Sequence, residues 1–256
     1  MKIGLALGGG GARGLAHIGV LKALEKNNIK IDLVSGTSMG AIVGAFYTAG
    51  IPLAHLEALA TSTDWKKLFS LFDPKLKDGL FGGEKLINFL KSELGDLEFK
   101  NLKKPLFITA TDSATAEIKI FNTGKIIPAL RASSSLPIVF NPVKNKKNIL
   151  IDGCFSLPVP VTPLVKAKAD LIIAVNLDAD YFTKNKNRAT NLFNTINNGI
   201  LLLRHHLAAA NCDKAQLVIK PKVGQYNWYD FFKAKEIIKS GEIEANKIIK
   251  KLKSGL

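Results

Sequence analysis

The chain opens with a short apolar run that breaks on four glycines and passes at once into helical periodicity. "KIGLAL" gives way to "GGGG", and "RGLAHIGVLKALEKN" follows with Leu15, Ile18, Leu21 and Leu24 at helical spacing. An apolar run this short, bounded by glycine, is a buried strand, and a strand feeding a helix through a tight turn is half of a βαβ unit. The arrangement recurs: "IDLVSGT" (31–37) is a second strand, and "MGAIVGAFYTAG" (39–50) is a second helix, apolar nearly all round and so buried. Downstream, "GEKLINFLKSEL" has the pattern of an exposed amphipathic helix. "PLFITATDS" and "AEIKIFNTG" read as paired strands, and "KIIPALRASSSLP" as a short helix stopped by Pro137. "NILIDGC", "DLIIAVNLD" and "AQLVIKP" read as strands, with a helix over "NTINNGILLLRHHLAAANC" between the last two. Strands alternating with helices require a mainly parallel sheet covered on both faces. No repeat or linker divides the 256 residues, so the expectation is one domain, 1–256.

The same periodicity bounds the ends. The apolar part of "MKIGLALGGGGARG" is short and runs into glycines and an arginine rather than a small-residue cleavage site, which reads as a first strand and not a signal peptide. The uncharged run 35–56 is punctuated by Gly36, Gly40, Gly44, Gly50 and Pro52, which argues against a membrane span. Cys154 and Cys212 are the only cysteines, without metal-ligand spacing, as expected of a reducing, cytoplasmic setting. The formal net charge is +15. It favours polyanions, and the lysines lack the aromatic interleaving of a nucleic-acid surface, which leaves two readings open, a merely solvated lysine-rich surface and peripheral contact with the inner face of an anionic membrane. The segment 231–253 carries Ile237, Ile238, Ile248, Ile249 and Leu252 on one stripe between lysines. An interfacial helix has this pattern, and so does a terminal helix packed on the fold with its lysines in water; packing is the expectation.

Two motifs carry chemistry. Gly36-Thr37-Ser38-Met39-Gly40 fits the G-x-S-x-G nucleophile elbow and lies between an apolar strand and an apolar helix, the context that motif needs. The structural alternative is a tight turn with a buried serine. The second motif, Gly9-Gly10-Gly11-Ala12-Arg13-Gly14, satisfies G-x-G-x-x-G. A dinucleotide reading expects an acidic residue about 20 positions on, at the end of the second strand. Asp32 stands instead at the start of that strand, and a GK[ST] is absent. The other use is an oxyanion hole, with the amides of Gly9 to Gly11 aimed at a carbonyl attacked by Ser38 and Arg13 adding positive charge.

Ser38 needs a base. His17 lies on the first helix, His55 follows a proline-broken segment, and His205 and His206 are adjacent inside a helix. A Ser38–Asp152–His205 or Ser38–Asp152–His206 order stays open. Asp152 is the stronger candidate, since "NILIDGC" delivers it at the end of an apolar strand before a glycine; an Asp-Gly turn without function is the alternative.

Taken in order, "LALGGGGARGLAHIGVLKALE", "GTSMGAIVGAFYTAG" and "RASSSLPIVFNPV…NILIDGCFSLPVPV" resemble the patatin-like phospholipase family in its small bacterial form. The resemblance extends through "ADLIIAVNL" and more loosely to the late helix and "VIKP". It implies a three-layer α/β/α sandwich and lipid acyl hydrolysis without metal or other cofactor. It also implies a Ser38–Asp152 dyad and an oxyanion hole on Gly9, Gly10, Gly11, Arg13 and Gly14, with Gly36 and Gly40 shaping the elbow. Gly153 and Cys154 form the turn after the base. The chain departs from the family at Cys154, where glycine or alanine is usual, and at Leu157, often polar. These departures bear on substrate range and turnover. The expected partner is a lipid or acyl ester; the sequence does not specify chain length, headgroup, oligomeric state or an activating partner. A nucleotide-binding module and a catalytically weak scaffold are the other classes the residues leave open.

Overall fold

A computed structural model describes residues 1–62, 83–137, 139–145, 147–184 and 192–253. Among the described residues eight strands form one sheet: β1 (Ile3–Leu7), β2 (Leu33–Thr37), β3 (Leu106–Asp112), β4 (Ile118–Phe121), β5 (Val143–Asn145), β6 (Asn148–Asp152), β7 (Leu171–Val175) and β8 (Leu217–Ile219). Hydrogen-bonded neighbours run β5-β6-β3-β2-β1-β7-β8, with β4 also paired to β3. The run β3-β2-β1-β7-β8 is parallel, whereas β4 and β6 meet β3 antiparallel, and β5 meets β6 antiparallel. The sheet is thus mixed, and its parallel part carries the βα connections. The flanking helices are α1 (Ala16–Lys26), α2 (Met39–Ala49), α3 (Leu53–Thr61), α4 (Glu84–Leu94), α5 (Ile126–Ser133), α6 (Val161–Lys166), α7 (Tyr181–Lys184), α8 (Leu192–Asn211) and α9 (Ala234–Lys253).

Alternation along the strands builds the layers. Leu5 and Leu7 of β1 and Ile173 and Val175 of β7 face one core, shared with α1, α2, α3, α5 and α9. Ala6, Ile172 and Ala174 face the other, against α6 and the C-terminal part of α8. Both faces are therefore covered, as the continuous apolar strands require.

Three sequence expectations shift. The first helix begins at Ala16, because Gly11 has φ +56° and the Ala12 amide donates to the Trp228 carbonyl oxygen at 2.7 Å; residues Gly11–Leu15 make a tighter 3₁₀ turn instead. Pro52, read as a break, sits at the N-cap of α3, where a missing N–H costs no intrahelical bond. On α9, Ile237, Ile238 and Ile249 are buried, but Leu252 is exposed and Ile248 only partly covered, so the stripe narrows to the part that packs on α1. The two helices approach closely: a Cβ on Gly241 would stand 2.0 Å from the Ala16 carbonyl oxygen.

His17 fastens α1 to the end of β1. Its Nε2 donates to the Gly8 carbonyl oxygen at 2.7 Å, it is fully buried, and its Nδ1 has no partner among the described residues. Burial pushes its pKa down to about 4, only partly offset by the bond to Gly8. The unfolded chain, with an ordinary histidine, binds the proton that the folded state refuses. Stability is therefore complete above about pH 6.5 and falls as pH drops from there towards 4, by about 3 kcal/mol for this group. Urea midpoints at pH 7.5 and 4.5 test this: a His17→Gln variant should show a distinctly smaller drop than wild type.

Candidate active site

The register of β3 brings the two chemistry-bearing strand ends together. A strand has two edges. β2 and β4 both pair with Ile108 and Thr109, so they occupy opposite edges of β3. β4 and β6 both pair with Ala110 and Thr111, so β6 lies on the same edge as β2. β2 ends at Thr37 opposite Thr109, while β6, running the other way, ends at Asp152 opposite Ala110. Two C-terminal strand ends thus meet head to head, one rung apart, and Ser38 follows directly on the first.

Ser38 has φ +54° and ψ −123°, a conformation that costs about 1–3 kcal/mol for a residue with a side chain. Its surroundings hold it there. The Ser38 amide donates to Ser133 Oγ at 2.8 Å, and its carbonyl oxygen accepts from Ala41 and Ile42 at the start of α2. Thr37 Oγ1 shares a 2.7 Å hydrogen bond with Thr109 Oγ1 and donates to the Leu157 carbonyl oxygen at 2.8 Å. The flanking glycines are spatial requirements: a Cβ on Gly40 would lie 2.2 Å from the Leu7 carbonyl oxygen, and one on Gly36 2.5 Å from Ala41 Cα.

Ser38 Oγ donates to Asp152 Oδ2 at 2.6 Å. The other carboxylate oxygen, Oδ1, accepts from the Cys154 amide at 2.8 Å. Asp152 is buried, and burial pushes its carboxyl pKa above the usual range, opposed in part by the hydrogen bonds from Ser38 and Cys154 and by the positive Arg204. Cys154 is buried too; burial and the adjacent Asp152 drive its thiol well above the ordinary value, so it stays neutral. Its Sγ fills space against Gly9, where a Cβ would come within 2.1 Å of it. Leu157 is buried and serves the site through its carbonyl oxygen.

The glycine loop divides in two. The Gly8 amide donates to the Val175 carbonyl oxygen at 3.2 Å and the Gly9 amide to that of Pro158 at 2.9 Å. Gly9 is therefore not a free donor, which corrects its assignment to the oxyanion hole; its contribution is the close approach to Cys154. Gly10 and Gly11 line the cavity together with Ser38 and Asp152, and no hydrogen bond within the described residues occupies their amides. Arg13 and Gly14 have other contacts. Arg13 is 1% exposed, with Nη2 3.1 Å from Asp178 Oδ1 and its guanidinium 5.0 Å from the Tyr181 ring centroid, so its charge is directed at Asp178. Gly14 makes room for Met39, whose Cγ would lie 2.4 Å from a Cβ there.

The histidines stand elsewhere. His205 Nδ1 is 2.8 Å from the Asp178 carbonyl oxygen, His55 Nε2 pairs with Glu93 at 3.0 Å, and no hydrogen bond joins His205 or His206 to Ser38 or Asp152 among the described residues. Asp32 accepts from the Ile3 amide at 2.9 Å, at the opposite end of β1 from the glycine loop. No group of metal-ligating side chains occurs among the described residues.

Sequence reasoning missed Arg204. It lies on α8 and grips Asp178 through Nε at 2.9 Å and through Nη2. Burial alone would raise the Asp178 carboxyl, but Arg204 and Arg13 hold it below the usual range. The only signal was one cation inside the apolar run "ILLLRHHL". Arg204 and Ser38 both line a cavity of about 140 Å³ whose walls are mostly apolar: Met39, Ile42 and Phe46 from α2, Leu56 from α3, Leu86 and Phe89 from α4, and Trp228 and Phe231 ahead of α9.

A family model described as patatin-like phospholipase matches residues 5–165. An uncharacterized NTE family protein of Mycobacterium bovis is 35% identical over 178 residues, which cover 69% of this chain and 49% of that one. The neuropathy target esterase of Drosophila melanogaster is 31% identical over 184 residues, covering 69% of this chain and 13% of that one. This chain therefore corresponds to about half, or much less, of the curated relatives it matches. Among solved structures, VipD from Legionella pneumophila superposes with a TM-score of 0.56 at 13% identity, covering 98% of this chain and 66% of that one. ExoU in its complex with SpcU from Pseudomonas aeruginosa gives 0.53 at 18% identity, covering 98% and 51%. These two likenesses speak for the fold.

Proposed function

The chain belongs to the patatin-like phospholipase family, and from that premise we propose that it hydrolyses acyl esters of lipids through a Ser38–Asp152 dyad. The observation that carries the reading is the 2.6 Å hydrogen bond from Ser38 Oγ to Asp152 Oδ2 at an apolar cavity. In this mechanism Ser38 Oγ attacks the ester carbonyl carbon as its proton passes to Asp152. The carbonyl oxygen gains the negative charge, and the amides of Gly10 and Gly11 stabilise it. The C–O bond to the alcohol breaks, the alcohol leaves with the proton from Asp152, and the acyl group remains on Ser38. Water, giving a proton to the same carboxylate, then attacks the acyl carbon; the bond to Ser38 Oγ breaks, Oγ takes the proton back from Asp152, and the fatty acid is released. The apolar walls suit an acyl chain.

Labelling with a fluorophosphonate probe, followed by a panel of lipid esters, tests the proposal. Stoichiometric labelling with release of free fatty acid is expected. A folded protein that takes up no probe and cleaves no ester would overturn the reading; a thermal shift with NAD or ATP in that case would favour a nucleotide-binding module. Labelling without turnover on any ester would point to a weak scaffold.

The same reading puts the protein at the inner surface of a membrane. No helix among the described residues is long and apolar enough to cross one. Trp228, Tyr229 and Phe232 are exposed beside the cavity-lining Trp228 and Phe231, on a chain of net charge +15. Co-sedimentation with liposomes should rise with anionic lipid content and fall with salt. Binding indifferent to both variables would remove the electrostatic attraction.

A further inference from the structure

We propose that Arg204 forms an anion subsite within the Ser38 cavity, which takes the phosphate of an acylated glycerophosphate and so selects phospholipids and lysophospholipids over neutral acylglycerols. The inference rests on the hydrolase reading above and names its substrate class.

An apolar cavity built only for an acyl chain has no use for a cation, because a charge taken out of water is costly unless paired. Arg204 nevertheless lines this one beside Ser38 and Asp152. Two of its nitrogens, Nε and Nη2, are engaged by Asp178. Among the described residues no hydrogen bond engages Nη1, which leaves its two N–H donors to a ligand. Asp178 is also shared with Arg13, whose Nε and Nη1 are buried without a hydrogen-bond partner among the described residues. Two guanidiniums on one carboxylate leave a positive excess and more donors than acceptors. Asp152 offsets this excess only while ionised. When Asp152 takes the proton of Ser38, its negative charge passes to the substrate's carbonyl oxygen on the amides of Gly10 and Gly11, so the positive excess around Asp178 persists through the step. A phosphate oxygen on Nη1 offsets it throughout. Guanidinium is also the side-chain group best matched to phosphate geometry. The fatty acid carboxylate does not fill this role, because it carries no charge until the ester is cleaved. A phosphodiester carries its charge throughout, a few bonds from the scissile carbonyl.

The test compares kcat/KM for a 1-acylglycerophosphate and the 1-monoacylglycerol of the same chain, both as monomers, in wild type and Arg204→Gln. A charge-assisted hydrogen bond gives a wild-type preference of about ten- to a hundred-fold for the phosphate ester, which Arg204→Gln should reduce several-fold or more. Melting curves verify the fold. If Asp178, left with Arg13 alone, unfolds the variant, the double variant Arg204→Gln/Asp178→Asn carries the same comparison. A wild type without preference overturns the subsite, and so does a variant that loses equally on both substrates; a matching shift of the pH profile would assign Arg204 to the charge state of Asp152. Inhibition of monoacylglycerol hydrolysis by glycerol phosphate but not by inorganic phosphate supports a lipid headgroup; equal inhibition by both means a free-phosphate site and overturns the lipid assignment. A wild type that cleaves neither substrate and takes no fluorophosphonate defeats the hydrolase reading itself, and the subsite with it.

Discussion

Ser38→Ala abolishes fluorophosphonate labelling and lowers ester turnover by about a thousand-fold or more, because the atom that forms the acyl-enzyme is gone. Asp152→Asn lowers turnover by about 10²–10⁴-fold, the range for removing a positioned base. The two variants part on stability. Asparagine keeps both hydrogen bonds of Asp152, its Oδ1 accepting from the Cys154 amide and its Nδ2 donating to Ser38 Oγ. It removes a carboxylate whose folded-state pKa is raised by burial. Such a group binds its proton more tightly folded than unfolded, so above both pKa values its ionisation works against the fold. Asp152→Asn should therefore melt above wild type at pH 7, by about 2–4 °C for each kcal/mol relieved in a chain of this size. Ser38→Ala leaves Asp152 Oδ2 without its donor and should not share the gain. The same shift sets the pH profile. Attack needs Asp152 ionised, so kcat/KM falls as pH drops through a pKa above the ordinary carboxylate value, and that acid limb disappears in Asp152→Asn. Near-normal turnover in Asp152→Asn, together with loss of turnover in His205→Ala or His206→Ala, would replace the dyad with a histidine route.

The elbow was readable in the sequence because its constraints are local. Gly36 and Gly40 are fixed by backbone atoms a few residues away or directly beneath, and Ser38 lies between an apolar strand and an apolar helix. What failed to show was non-local. Asp152 itself was legible as a strand-end candidate, but not the path by which it reaches Ser38: β6 runs antiparallel to β3 on the edge that β2 vacates, and nothing in "NILIDGC" encodes a direction. The Gly9 amide was assigned to an oxyanion because its neighbours in sequence could not reveal Pro158, some 149 positions on, whose carbonyl oxygen accepts it. Arg204 was invisible for the same reason. Its meaning comes from Asp178 and Arg13, which the sheet brings to it from two other elements.

Gly40→Ala should both destabilise the fold and disable the site. The Cβ would stand 2.2 Å from the Leu7 carbonyl oxygen, 2.6 Å from Leu7 carbon and 2.7 Å from the Gly8 carbonyl oxygen. All three are backbone atoms, so no side chain can rotate aside. β1 cannot retreat either, since β2 and β7 pair with it on its two edges. The start of α2 must lift, and Ser38, its N-cap residue, lifts with it. Overpacking against backbone costs about 3 kcal/mol, or roughly 6–12 °C of melting temperature at this chain length. The site suffers more, because displacing a nucleophile by about 1 Å costs on the order of 10²-fold in rate. Gly44→Ala, one turn along the same helix, is the control. Its Cβ meets only side chains, Val34 Cγ1 at 3.2 Å and Leu106 Cδ1 at 3.3 Å, and alanine favours a helix interior over glycine by about 1 kcal/mol. Gly44→Ala should therefore melt within a few degrees of wild type. Equal melting temperatures and equal labelling rates for the two variants would mean that the glycine at position 40 is not what seats Ser38 against Asp152.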